Sequence, residues 1–446
     1  MEQLDGNVLF TAMPSIAHDY DIPTTALTVA TTAYLVASAT FIPLGGWLAS
    51  RFGARRVFCA SVVVFALASL GCALSPGLIA MTAFRIAQGF GGALMIPVGR
   101  LVVLRGTTPR DLIRATAYIT WPALAAPVLA PVIGGAVAST IGWRWIFLLN
   151  LPIGAAVLAL GLWRIRDADT ERTTLDRVGL ALSTTAVFGL ITGLQLAASG
   201  AGIAATGVCL GAIVVTAVAI VHLLRTSSPL FDLRVFRIRT FRAANSGGFA
   251  YRLVVTAVPF LMPLLLQDGL GYAPAAAGGI VAAIFIGNIG IKPLTTPLLR
   301  AMPFRAVILV ASIVAALFSV LFSFVDGTTP VPLLLVALLV SGAFRSIGFT
   351  AYATMQFADV ERVELSSANT LSSTLQKLAT AVGVALAAVI VHAVQLGLPS
   401  GTDTLPYRVA FLVMAAIALV PVASALMIPR GAADALRRRT RSRMRA

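Results

Sequence analysis

Seventeen acidic residues are spread along the 446-residue chain, and sixteen of them fall in polar connections, in the tail or near the ends of apolar stretches. Asp5 is the one that reads as lying inside an apolar stretch. A carboxylate there is expensive to keep charged, so gaining and losing a proton is the simplest chemistry open to it. The second half of the chain shows the opposite pattern. Arg252, Lys292, Arg345 and Lys377 each fall several residues inside an apolar stretch, and no acid of that half is placed to neutralise them. Such cations either pair with backbone carbonyls and helix C-termini or face a watered cavity that attracts anions, and both readings stay open. His222 and His392 also lie in apolar stretches and read as packed residues rather than proton relays.

Other chemistries find no support. The two lysines, Lys292 and Lys377, lie in no Gly-rich phosphate loop, so a nucleotide has no cradle. Gly89, Gly91 and Gly92 mimic a dinucleotide fingerprint, but they sit inside an apolar stretch with no strand before it, and close helix packing explains them better. Cys59, Cys72 and Cys209 are odd in number and lack metal-ligand spacing, so neither a metal site nor a disulfide framework is expected. There is no HExxH, no paired intramembrane carboxylates and no Ser/His/Asp set, which argues against an enzyme. With no cofactor expected, any energy-coupled activity must draw on an ion gradient or on the substrate's own gradient.

The elements that must position these residues are membrane helices. The chain is 58% hydrophobic and 11% charged, and a bilayer core of about 30 Å needs about 20 apolar residues per crossing. About fourteen stretches qualify as candidates. They fall near 4–17, 27–49, 57–74, 79–104, 113–138, 145–163, 178–198, 204–224, 243–266, 275–299, 306–325, 331–355, 367–394 and 410–427. The first supplies only about fourteen apolar residues, short of a full crossing, which predicts either an earlier start or a truncated first helix. Arginines gather in every second connection and in the tail, which places those connections and both termini in the cytoplasm by the positive-inside rule. The net charge of +16 could suggest nucleic acid, but topology and attraction to anionic lipid head groups explain it better. No basic segment precedes a cleavable apolar stretch, so no signal peptide is expected.

Several motifs carry a resemblance. GWLASRFGARR at 46–56 is similar to the loop between helices two and three of the major facilitator superfamily. Gly46 and Gly53 permit a tight reversal there, while Arg51, Arg55 and Arg56 anchor it inside. FRIAQGFGGA at 84–93 resembles the arginine motif of helix four, and APVLAPVIGG at 126–135 the Gly/Pro motif of helix five in exporters. WRWIFLLNLPIG at 143–154 and LDGNVLFTAMP at 4–14 are similar to helices six and one of the fourteen-helix drug:proton antiporters. LLLQDGLGYAPAAAG at 264–278 and SSANTLSSTLQKLATAVG at 366–383 extend the likeness over nearly the whole chain.

The resemblance implies an all-α major facilitator fold of two six-helix halves, 1–166 and 242–429. Two extra helices and a cytoplasmic linker would fill 167–241, with a basic tail at 430–446. Substrate would bind near the bilayer midplane where the halves meet. It also makes Arg85 the expected neighbour of Asp5 in proton coupling. Ser50 stands where the family usually has Asp, so a charge near a helix terminus is lost and the balance between inward-open and outward-open states should shift. Pro127 and Pro131, four apart, put both kinks on one face of helix five, with Gly134 and Gly135 a turn on. The segment FDLRVFRIRTFR at 231–242 reads as lying on the membrane surface.

The reading that follows is a proton-coupled exporter, expected to be a monomer among membrane lipids, that swaps protons for small amphiphilic or drug-like compounds. Candidate substrate-binding residues are Trp121, Tyr251, Arg252, Gln267, Lys292, Arg345, Tyr352, Gln376 and Lys377. The four cations suggest an alternative, export of an anionic metabolite such as a carboxylate or its metal chelate. A third possibility, of another class, is a non-transporting sensor or decayed paralogue, suggested by the short first helix and Ser50.

Overall fold

A computed structural model describes residues 2–108, 111–119, 137, 140–165, 174–198, 201–396 and 404–428, and among them the regular structure is helical. In chain order the helices are α1 (Glu2–Asp19), α2 (Thr28–Thr40), α3 (Ile42–Phe52), α4 (Ala54–Leu74), α5 (Leu78–Gly106) and α6 (112–119), followed by α7 (Arg144–Leu148), α8 (Asn150–Arg164), α9 (Arg177–Ala198) and α10 (Gly202–Arg225). The second part holds α11 (Arg239–Leu264), α12 (Pro274–Gly290), α13 (Lys292–Ala301), α14 (Phe304–Ser323), α15 (Val331–Met355), α16 (Leu365–Leu396), α17 (Leu405–Ile417) and α18 (Leu419–Met427).

Among the described residues ten helical stretches are long and apolar enough to cross a bilayer, and twelve when two bent pairs each count as one. The bends separate α2 from α3 by 50° and α12 from α13 by 49°. Each follows from a proline. Pro43 and Pro293 stand in the first turn of the second helix of their pair, where a missing N–H and a crowded ring interrupt the hydrogen-bond ladder. Of the expected crossings beyond these twelve, α1 is described but carries Glu2 and Asp5 in its first turn. Most of the 113–138 segment, including Trp121, Pro127, Pro131, Gly134 and Gly135, lies outside the described residues.

Small residues let the helices close up. A side chain at Gly89 would meet the backbone of α2 at Tyr34 and Ser38, one at Gly91 the backbone of α4 at Ser61 and Phe65, and one at Gly92 the Glu2 side chain of α1. Three glycines on α5 thus seat three different helices, which is packing, as their apolar setting predicts. Large apolar side chains such as Leu67, Ile203, Val214 and Leu333 point outward, where lipid chains would receive them.

The core is asymmetric from end to end. At the end that carries Arg51, Arg55 and Arg56, one cluster joins residues of both parts of the chain, among them Ala49, Leu101, Phe241, Phe304, Phe357 and Leu365. The parts also have clusters of their own, one around Met13, Ile16, Cys72 and Trp143 and another around Leu261, Leu265, Phe322 and Phe411, while a small one around Val36 and Val187 meets Leu378 and Ala381 of α16.

The 231–242 segment differs from expectation. It forms a short 3-10 turn, Leu233–Arg237, whose start is capped by the Asp232 carboxylate accepting from the Arg234 N–H at 2.8 Å. Phe231, Val235 and Phe241 are buried in the shared basic-end core, and Phe236 packs edge-on against Phe241. The apolar side chains find protein rather than lipid because the turn brings alternate residues inward beneath α10 and α11.

Candidate functional site

Asp5 and Arg85 meet in the interior of the first half. Arg85, on α5, is fully buried, and its Nη1 donates to Asp5 Oδ2 at 2.6 Å. The other carboxylate oxygen accepts from Asn150 Nδ2 at 2.7 Å and from Gln88 Nε2 at 3.0 Å. Ser69 Oγ accepts from both of these amides, at 2.6 Å from Gln88 and 3.1 Å from Asn150. Gln88 Oε1 in turn accepts from Arg85 Nη1 at 2.7 Å, and the guanidinium lies over the Tyr34 ring at 4.1 Å. Four helices, α1, α4, α5 and α8, therefore contribute to one buried network, with α2 supplying its aromatic wall. Charge-assisted bonds inside a low-dielectric bundle make the network stiff while the carboxylate is ionised. The packing of α1 against α5 therefore rests in part on this one carboxylate and its polar partners.

Gln88, Asn150 and Ser69 escaped the sequence reading. Gln88 lies one turn from Arg85, and Asn150 lies inside the helix-six motif, so the signal was present in the motifs without a role attached.

Glu2 corrects two expectations. It is a second acid within a helix, 4% exposed, beside Gly92 midway along α5. Its Oε1 accepts from Lys377 Nζ on α16 at 2.9 Å and from Ser38 Oγ at 3.4 Å. Lys377 is thus neutralised, by an acid from the other half rather than its own. Asp5 stood out alone because Glu2 sits at the beginning of the apolar run, where hydropathy cannot separate an interior residue from a terminal one.

The other cations of the second half take different solutions. Lys292 Nζ donates to Thr350 Oγ1 at 2.8 Å and is buried. Arg252 stacks on the Phe349 ring at 4.4 Å, and Arg345 lies 5.4 Å from the same ring and 6.0 Å from that of Phe285. Tyr251 Oη donates to the Phe344 carbonyl at 3.1 Å, and its ring touches Phe349 and Tyr352. A further base, Arg100 of α5, joins them across the boundary. Its guanidinium approaches Gln376 Oε1 at 3.4 Å, while Gln376 Nε2 donates to Gln356 Oε1 at 3.3 Å. Arg100 was hidden by its place near the arginine-rich end of its span. Gln267 stands apart, in a π-helical turn, Leu265–Gly269, fifteen residues beyond Arg252 in the same span, about 22 Å at 1.5 Å rise per residue.

The loop motif is assembled as its glycines and arginines suggest. Gly53 adopts φ 89°, a left-handed conformation that permits α3 to reverse directly into α4. Arg55 Nη2 donates to the Leu162 carbonyl at 2.6 Å, whereas Arg51 and Arg56 are exposed. Ser50 Oγ lies 3.2 Å from Ser366 Oγ in the first turn of α16, and Ser366 Oγ donates to the Gly46 carbonyl at 3.2 Å. Deeper along the same seam, Asn369 Nδ2 donates to the Pro97 carbonyl at 2.7 Å.

The sequence profile of the Major Facilitator Superfamily matches this chain twice, over residues 1–247 and 244–443. The chain belongs to the major facilitator superfamily. Its curated relatives include proteins named "Putative multidrug resistance protein MdtD". The one from Cronobacter sakazakii is 33% identical over 441 residues, covering 96% of this chain and 92% of the relative. That of Salmonella typhimurium strain LT2 is 30% identical over 442 residues, with the same coverage. Among solved structures, the human organic anion transporter MFSD10 (TETRAN) superposes with a TM-score of 0.67 at 14% identity, covering 95% of this chain and 96% of that one. The proton:xylose symporter XylE superposes with a TM-score of 0.65 at 12% identity, covering 97% and 94%. At that identity the two structures share the major facilitator fold and nothing finer. The chain is therefore a multi-pass membrane transporter of small molecules, not an enzyme.

Proposed function

We propose that this transporter exports small amphiphilic compounds, drug-like molecules included, in exchange for protons across the cytoplasmic membrane. The observation that carries this reading is the buried Asp5–Arg85 pair, with Gln88, Asn150 and Ser69 completing the carboxylate's shell. Protonation of Asp5 releases Arg85, loosens α1 from α5 and tips the halves toward the other orientation; deprotonation rebuilds the network. The arginine-rich connections favour a cytoplasmic basic end with both termini inside. In that frame the shared basic-end core and the α16 seam describe a conformation closed to the cytoplasm. The drug-resistance relatives support drug-like cargo, and no partner chain is required for the cycle.

The test is acid-driven uptake of lipophilic dyes into inverted vesicles. Wild type accumulates dye when the lumen is acidified, and Asp5→Asn at equal abundance does not. Dye export by Asp5→Asn at the wild-type rate would remove proton coupling from Asp5.

A second reading, export of an anionic compound, is favoured by Arg100 and Arg345 each lying within coulombic reach of Arg252. Charge reversal at Arg252 or Arg345 then abolishes anion export and spares neutral dyes.

A further inference from the structure

The two halves of the major facilitator fold can be laid on each other helix by helix. In the first half, with the bent pair α2–α3 counted once, α1 stands first and α5 fourth; in the second, with α12–α13 counted once, α11 and α15 hold those places. Sequence fixes the register. Thr11-Ala12-Met13-Pro14 in α1 corresponds to Thr256-Ala257-Val258-Pro259 in α11, and FRIAQGFGGA from Phe84 corresponds to FRSIGFTAYA from Phe344. Arg85 therefore falls on Arg345. Asp5, six residues ahead of its threonine, falls on Ala250, six residues ahead of Thr256. The second copy keeps the arginine and replaces the carboxylate with a methyl group.

The surroundings of Arg345 agree with this substitution. Its Nε and Nη1 are buried without a hydrogen-bond acceptor among the described residues. Arg85 also leaves Nε and Nη2 unbonded, but Asp5 balances its charge. Among the described residues Arg345 lies against the faces of Phe285 and Phe349, and Arg252 shares the Phe349 ring, so two guanidiniums approach one aromatic side chain. Tyr251 offers a hydroxyl, which donates to the Phe344 carbonyl at 3.1 Å, but no countercharge. Beside Arg345 lies a small cavity whose walls include Val254, Val258, Ile284 and Ala315. Arg345 is the cation on its wall, and because the cavity is only about 10 Å³ in this conformation, a ligand with a ring body and one anionic group enters it as α11 and α15 part.

We infer that Arg345 and Arg252 bind the carboxylate of an aromatic organic acid, which stands to Arg345 as Asp5 stands to Arg85. The ring of the acid packs on Phe344 and the valines of α11. This deepens the export reading above, on which it rests for the direction of transport, by naming the class of cargo.

Binding of 2-naphthoate and of its uncharged analogue 2-naphthamide to the purified full chain in lipid nanodiscs tests the assignment, by calorimetry and with no pH gradient. Wild type should bind the naphthoate at least about tenfold more tightly than the amide, since donors built for an anion are left unpaired by the neutral analogue. Arg345→Gln should reduce that preference to less than about twofold. Ala250→Asp, which supplies an internal carboxylate beside Arg345, should do the same while unfolding at no lower a temperature than wild type. Equal affinities in wild type, no naphthoate binding, or a preference that survives in Ala250→Asp would each overturn the inference. Should Arg345→Gln fail to fold, Ala250→Asp alone decides. Selective naphthoate binding without acid-driven transport would leave this site standing and remove the proton-coupled reading; acid-driven dye export without naphthoate selectivity would do the reverse.

Discussion

Glu2 of α1 and Lys377 of α16 form a 2.9 Å ion pair that joins one half of the transporter to the other at mid-depth. The glutamate side chain is 4% exposed and the lysine 34%, so the pair is neither a surface contact nor a fully dry one. It lies on the same helix as the Ser366, Asn369 and Gln376 contacts, which makes α16 the seam along which the halves are held.

Breaking that pair from one side leaves an uncompensated charge, and removing both ends does not. Glu2→Gln and Lys377→Gln should each lower the thermal unfolding temperature, and the double variant should recover part of the loss. A coupling of about 1 kcal/mol is expected, reduced from a buried pair by the partial exposure of the lysine. Strictly additive losses in a double-mutant cycle would show that the two residues act independently.

Gln88 donates to Asp5 and to Ser69 through one amide nitrogen, so Gln88→Ala strips a donor from the ionised carboxylate and unties Ser69. The maximal rate of dye export should therefore fall by about tenfold, the size of one hydrogen bond to a charged group. An unchanged rate at normal abundance would count Gln88 as a packing residue.

Ser50 touches Ser366 in the first turn of α16, where the helix dipole presents its positive end. Ser50→Asp should stabilise the closed basic end by about 0.3–1 kcal/mol. Accessibility of a cysteine introduced at Thr370 should fall relative to the Ser50 background. Rising accessibility would place the added charge against the dipole rather than with it.

Asp176 precedes α9 and ties three elements together. Its carboxylate accepts from the Gly179 N–H at 2.7 Å and from the Leu230 N–H at 3.2 Å, and it lies 2.8 Å from His222 Nε2. Burial raises its proton affinity, but the Gly179 amide, the His222 ring and the Leu230 amide outweigh that and hold the carboxyl below its ordinary value. A folded value below the unfolded one contributes stability above the usual carboxylate range, and that contribution is lost as pH falls through the folded value. Asp176→Ala should cost about 1 kcal/mol or somewhat more near neutral pH, and the gap to wild type should narrow in acid. A gap that widens in acid would reverse the assigned sign.

How much was legible before the fold was known follows from the range of each interaction. Apolar runs, paired with arginine-rich connections, establish a many-helix membrane protein because bilayer thickness acts on every segment locally. Asp5 and Arg85 were legible as isolated charges in apolar helices, and their motifs named them as neighbours. The bends before Ile42 and Lys292 are local too, but an apolar run looks the same straight or kinked, so the single spans expected there became pairs.

Partnership across the bundle belongs to another scale. Glu2 finds Lys377 from 375 residues away, and Asn150 reaches Asp5 from 145. Such pairings depend on the rotation of each helix about its own axis, which close packing at Gly89, Gly91 and Gly92 sets and hydropathy does not record. By itself the sequence determined the class of protein, its superfamily and the presence of buried charge. Only the tertiary structure decided which charges are matched, because matching is a property of helices turned toward one another, and Arg345 is turned toward no acid among the described residues.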